Sequence, residues 1–272
     1  MELLIEPGRT ERNYWRDLWH YRELFYFLAW RDILVRYKQT VIGIAWAVVR
    51  PLLTMIVFTF VFSRVAKLKA PGEVPYALLV LAAMLPWQFF STALSEASNS
   101  LITNANLISK VYFPRFIVPA GAIITSLVDF LIALALMAGL MIWCRFQPDW
   151  RILALPLFAG LAFGAALGAG LWLCALNVRY RDFRHVVPFI VQFGLYVSPV
   201  GFSSSIVPQK WMLAYSLNPM VGVIEGFRWS LLRGQAELDW RVLFMSLSAV
   251  AFLLVSGIWY FRKTEGMFAD VI

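Results

Sequence analysis

The sequence predicts an all-α integral membrane protein, and three observations carry that prediction. Of 272 residues, 61% are hydrophobic and only 15% charged, against roughly 25% charged in an ordinary soluble domain. The mean hydropathy is +0.70. The apolar residues also fall in runs, several of them near the ~20 residues that a helix needs to cross a bilayer. A soluble globule of this length has no interior large enough for that much apolar surface, and disordered, collagenous and disulfide-rich classes fall with it. The formal net charge is +8, from 24 Lys and Arg against 16 Asp and Glu. It fits cytosolic loops and anionic lipid headgroups better than nucleic acid.

Residues 1–40 form a leader that stays mixed in polarity, with seven Lys and Arg, unlike a secretory signal. Tyr14, Leu18, Tyr21, Phe25 and Leu28 step by four and three along one helical face, while Arg12, Arg16, His20 and Glu23 take another. The pattern predicts an amphipathic helix lying in the membrane interface. Residues 41–272 form the transmembrane domain. Its first span, 41–62, is interrupted by Arg50 and Pro51; the second, 76–94, has no charge; the third, 116–144, carries Asp129. The fourth, 152–177, places Gly160, Gly164 and Gly168 on one ridge. Small residues so spaced let two helices approach closely in lipid.

A fifth segment, 186–201, has only 16 residues, or about 24 Å of helix against a ~30 Å hydrocarbon layer. The region 202–235 is half-apolar and broken by Pro208, Asn218 and Pro219. Two short re-entrant helices and a plain interfacial loop both fit it. The last span is 242–261. Six spans put both termini on one side, and the basic leader with Arg179, Arg181 and Arg184 favours the cytosol. Cys144 and Cys174 lie in apolar segments without ligand spacing, and His20 and His185 have no ligating neighbours, so no metal is expected. Phosphate-loop, nucleophile-elbow and zinc-protease motifs are absent from the sequence, which reads as a conduit without catalytic residues.

Several motifs converge on one family. RDILVRYKQTVIGIAWAVVRPLL (Arg31 to Leu53), MLPWQFF (Met84 to Phe90), NANLISKVYFPR (Asn104 to Arg115) and NVRYRDFRHVVPF (Asn177 to Phe189) are followed by SPV, LNP and the closing FAD. Together, in that order, they resemble the permease subunits of type-2 ABC exporters. The likeness is strongest to the branch that exports O-antigen, teichoic acid and capsular polysaccharide as lipid-linked chains. The resemblance implies an interfacial leader, six spans and two re-entrant gate helices before the last span. It implies a homodimeric pore in the bacterial inner membrane with both termini cytoplasmic. Two separate ATPase subunits would bind ATP and Mg, so this chain has no cofactor of its own. Permeases for a drug or lipid share the superfamily, and an integral-membrane glycan-modifying enzyme is the alternative from another class.

The resemblance also implies a coupling helix within 95–115 that docks on the ATPase through Asn104, Asn106, Ile108, Lys110, Phe113 and Arg115. Arg31, Arg36 and Lys38 stand where the leader meets the membrane. Their charge suits the pyrophosphate of a lipid-linked glycan or, equally, anionic lipid. Arg50, costly inside a span, shares a helical face with Trp46. The two line a sugar path, or else Arg50 pairs with Asp129. Glu225 and Arg228, three apart, are expected to form a local ion pair.

Overall fold

The computed structural model describes residues 14–38, 41–72, 74–180, 182–236 and 238–268. Arg12, Arg181 and Asp270 lie outside them. Among the described residues all regular structure is helical: α1 Tyr14–His20, α2 Arg22–Lys38, α3 Val41–Phe58, α4 Tyr76–Thr103, α5 Ala105–Ile108, α6 Ile117–Trp143, α7 Leu155–Arg179, α8 Phe183–Val197, α9 Gln209–Tyr215, α10 Pro219–Leu231 and α11 Trp240–Thr264. Among the described residues, five helical stretches are long and apolar enough to cross a membrane: Ala45–Val65, Tyr76–Thr103, Ile117–Trp143, Trp150–Arg179 and Trp240–Met267. Helix α8 is apolar but has 15 residues, about 22 Å.

Several boundaries differ from those read in the sequence. Helix α3 passes through buried Pro51 without ending and continues as a π-helix over Thr59–Val65. Helix α4 does not stop at 94 but runs to Thr103. Its polar C-terminal turns are held by packing, with Ala97, Ser98, Ser100 and Leu101 buried, and their polar side chains are satisfied on the helix itself. Ser98 Oγ and Asn99 Nδ2 donate to the Ser95 carbonyl at 2.8 and 2.9 Å, and Thr103 Oγ1 to that of Asn99 at 3.1 Å. Asn177 Nδ2 on α7 adds a bond to the Ser98 carbonyl at 3.0 Å. Falling hydropathy marked the edge of the apolar layer, not the end of the helix.

The leader also departs from expectation. Its predicted apolar face is covered by the chain itself. Tyr14 and Leu28 are buried with Phe113, Phe116, Phe261 and Phe268, and Leu18, Tyr21 and Phe25 pack on that cluster. Helix α2 then follows α6 in the same direction, with Ala29 beside Gly121 and Tyr37 at Asp129, eight residues on along both helices. A second apolar strip, Trp19, Tyr26, Trp30 and Leu34, faces outward.

Helix α4 is the centre of the bundle, with 78% of its most apolar window buried, whereas α3 has 11%. Helices α7 and α11 cross at two glycines. A Cβ placed on Gly168 would meet the Leu253 backbone, and one on Gly257 would meet the Gly168 carbonyl. Gly164 faces the side-chain tips of Leu254 and Val250, while Gly160 faces open space. The ridge of three therefore serves the crossing unequally.

The described chain starts and finishes at one end of the bundle, since Tyr14 and Phe268 share one cluster. That leader end also holds residues 104–116 and the last turn of α7. The far end holds Tyr76, Trp150 and Arg233. Helix α8 joins the two ends, because the turn after it reaches Tyr76, whose hydroxyl donates to the Gly201 carbonyl at 2.7 Å. Helix α10 begins within the bundle, capped by the Asn218 side chain accepting from Met220 N–H at 3.0 Å, with Pro219 in its first turn. The Gly222 N–H donates to Ser246 Oγ at 3.0 Å, six residues into α11 and so about 9 Å from its start. Helix α10 climbs back from there to the far end, where Arg233 donates to the Gln147 carbonyl.

Candidate functional site

The basic residues at the leader–span junction fall into two groups. Arg31 is held by Asp32 (Nη2–Oδ1 2.7 Å) and by Asn104 Oδ1 at 2.8 Å. Arg36 spans two acids from different helices: Nη1 donates to Asp129 Oδ2 at 3.0 Å and Nη2 pairs with Glu96. The Tyr37 hydroxyl donates to the other Asp129 oxygen. One guanidinium thus ties α2 to both α4 and α6, the fork geometry that arginine suits and lysine does not. Asp129 is consequently the partner of Arg36 and Tyr37, not of Arg50. Lys38 and Arg50 are exposed, and no carboxylate among the described residues lies within ion-pair range of either.

Trp46 is 59% exposed and stands one turn before Arg50. The same side of α3 continues through Leu53, Val57 and Phe60, all exposed. Helix α8 has a comparable face in Phe189, Phe193 and Tyr196, with the two phenylalanine rings stacked at 5.4 Å. Near the far end the two helices flank a cavity of about 230 Å³ lined by Phe58, Phe62, Tyr196, Gly201 and Phe202.

At the leader end the 104–115 segment is only partly available to a partner. Ile108 is 5% and Phe113 4% exposed, both filled into the chain's own core. Both side chains, expected from the sequence to meet a partner, pack within the chain. Asn106 and Lys110 are exposed, as are Val111 and Tyr112, the latter 53%. Asn104 accepts from Arg31 and donates to the Ser100 carbonyl. Arg115 donates its backbone N–H to Glu265 Oε1 at 2.8 Å, and its guanidinium reaches the Glu265 carbonyl. Burial and the neighbouring Glu265 carboxylate raise the Tyr14 phenol pKa above its ordinary value. This end therefore joins leader, connector and α11 as one block.

At the far end, Glu225 and Arg228 form an ion pair at 3.3 Å, with the arginine wholly buried. Spacing alone suggested the pair. Its surroundings, an irregular segment drawn in from residues 198–204, had no sequence signal beyond the prolines and serines. The Arg36 clamp had none either, because its partners stand 60 and 93 residues away.

Comparison with known proteins places the chain in a family. The ABC-2 type transporter family profile matches residues 23–232. The O-antigen export system permease protein RfbA of Myxococcus xanthus is 27% identical over 262 residues, covering 94% of this chain and 98% of the relative. RfbA of Klebsiella pneumoniae is 25% identical over 252 residues, covering 92% and 95%. The capsule polysaccharide export inner-membrane protein CtrC of Neisseria meningitidis is 25% identical over 228 residues, covering 79% and 82%. With more than three-quarters of its length matched, the chain belongs to the ABC-2 type transporter family.

Proposed function

We propose that this chain is the membrane-spanning subunit of an ATP-driven exporter of lipid-linked polysaccharide in the bacterial inner membrane. The observation that carries the reading is the uncovered face of α3, apolar along its length yet interrupted by Trp46 and Arg50. A face of that kind needs a partner in lipid. Two copies meeting along α3 and α8 enclose a path whose wall is aromatic, with Arg50 as a donor to sugar hydroxyls. Aromatic faces stack on pyranose rings, and the relatives named above are permeases for O-antigen and capsule export.

In this reading α8 is the sixth crossing, and the leader end lies in the cytoplasm. Helices α9 and α10 are the gate that dips in from the outside. Two ATPase subunits, which bind ATP and Mg, dock at the exposed Asn106, Lys110, Val111 and Tyr112. Lys38 and Arg50 are the cations free to meet a pyrophosphate, while Arg31 and Arg36 hold the leader in place. The docked block passes the ATPase stroke to α2 and α11 together, through Arg31–Asn104 and Arg115–Glu265. The test is reconstitution with the ATPase partner and measurement of ATP hydrolysis with and without lipid-linked polysaccharide. A several-fold rise is expected; hydrolysis that ignores the glycan, or a partner that fails to co-purify, overturns the reading.

A further inference from the structure

Among the described residues Arg228 is the largest side chain that is fully buried, and what it holds is a loop. Between α8 and α9, residues 198–203 leave the helical ladder; the Ser198 and Ser203 carbonyls find local partners, while those of Val200, Gly201 and Phe202 need partners from elsewhere. In a protein surrounded by lipid such backbone cannot turn to water and must be satisfied from within. Arg228 does this with two of its nitrogens and ties itself to α4 with the third. Nη1 donates to the Phe202 carbonyl at 2.8 Å, Nη2 to that of Val200 at 3.1 Å, and Nε to that of Leu79 on α4 at 3.4 Å. Glu225, one turn earlier, neutralises the guanidinium and accepts the Ser204 N–H at 3.1 Å. Tyr76 takes the intervening Gly201 carbonyl, and Asn218 Nδ2 donates to Ser198 Oγ at 2.9 Å. The loop is gripped along its length by α4 and α10.

The same loop sets the spacing of α3 and α8. Gly201 and Phe202 form a wall of the cavity between those helices. Gly201 also lies so close to the Phe62 ring that no side chain fits between them. Phe62 itself belongs to the π-helical turn of α3, a deviation that often marks functional positions. An apolar residue at 228 would leave the carbonyls unbonded. Lysine offers its donors from one nitrogen and cannot reach carbonyls spread around a fork. Burying a charge pair inside a membrane protein is costly, which makes the pair a candidate for a functional role.

We infer that Arg228 and Glu225 are positioning residues for the outer end of the transport path: they clamp the 198–204 loop as the stop that keeps α3 and α8 in register there. This rests on the export reading only in taking the α3–α8 face as the path. Releasing the clamp frees the loop and exposes Phe202, half-buried while clamped, more fully to the outside.

Accessibility of a cysteine at 202 tests this in the full chain with its ATPase partner, using Phe202→Cys in a Cys144→Ala, Cys174→Ala background. A membrane-impermeant maleimide is added from the outer side. Adding Arg228→Lys should raise the labelling rate at least ~10-fold, without changing labelling of a control Trp143→Cys, which is 86% exposed at the same end. Ser204→Pro is the second variant. It deletes the N–H given to Glu225, together with the serine hydroxyl, at the first residue of a 3-10 turn where proline is tolerated, and should raise the rate by a smaller factor. An unchanged rate in monodisperse Arg228→Lys protein overturns the clamp, and if that variant does not fold, an unchanged rate in Ser204→Pro does so. Failure of the export reading would show separately, as absent glycan-stimulated hydrolysis in the unmodified protein.

Discussion

Replacing Gly168 with alanine should loosen the contact between α7 and α11, and the structure sets the size of the effect. The new Cβ would stand 2.5 Å from the Leu253 carbonyl carbon and 2.6 Å from the Leu254 nitrogen. Carbon atoms are comfortable at about 3.5–4.0 Å, so α11 must retreat by about 1 Å. The obstacle is backbone, which has no rotamer with which to move aside. Overpacking of this kind costs about 1–3 kcal/mol. Gly160→Ala is the internal control, because nothing stands within 4 Å of its added Cβ. Removing glycine's backbone freedom there is neutral or stabilising by up to about 1 kcal/mol. Thermal unfolding in detergent micelles, followed by size exclusion, should separate the two variants by several degrees, at about 2–4 °C per kcal/mol. Gly164→Ala should fall between them, since it meets only side-chain tips at 3.0 and 3.2 Å. If Gly168→Ala melts with Gly160→Ala, close backbone approach is not what holds this crossing.

Three further predictions concern the charged and docking residues. Ile108→Asp places a carboxylate in the chain's own core and should cost several kcal/mol, read as lost monodisperse protein, whereas Tyr112→Asp should fold and lose ATPase co-purification. Arg36→Ala and Asp129→Asn each break one partly exposed clamp and should cost about 1 kcal/mol, with a double variant less destabilised than the sum. Normal export in Asp129→Asn beside failed export in Arg36→Ala would instead put Arg36 on the substrate. Arg50→Cys, in the background without native cysteines, should react with small aqueous thiol reagents; protection from them would take Arg50 off the transport path.

The residues legible from the sequence are those whose partners are local. The i, i+3 spacing announced the Glu225–Arg228 pair, whereas Asn218 and Pro219, read in the sequence only as a break, cap and open α10. The apolar face of the leader was also visible, but not that the chain itself covers it. Ile108 and Phe113 show the same limit. An apolar residue in an amphipathic connector reads alike whether it faces a partner or its own core.

The sequence by itself determined that lipid is the solvent, where the apolar runs lie and in what order, because hydropathy and the 3.6-residue period are local properties. Tertiary structure alone decided which glycine of the ridge touches another helix, and that Arg36 rather than Arg50 meets Asp129. It also placed a buried arginine under the 198–204 loop. Those contacts join residues 26 to 93 positions apart. They depend on how each helix is rotated against its neighbours, which is fixed by packing all the faces at once.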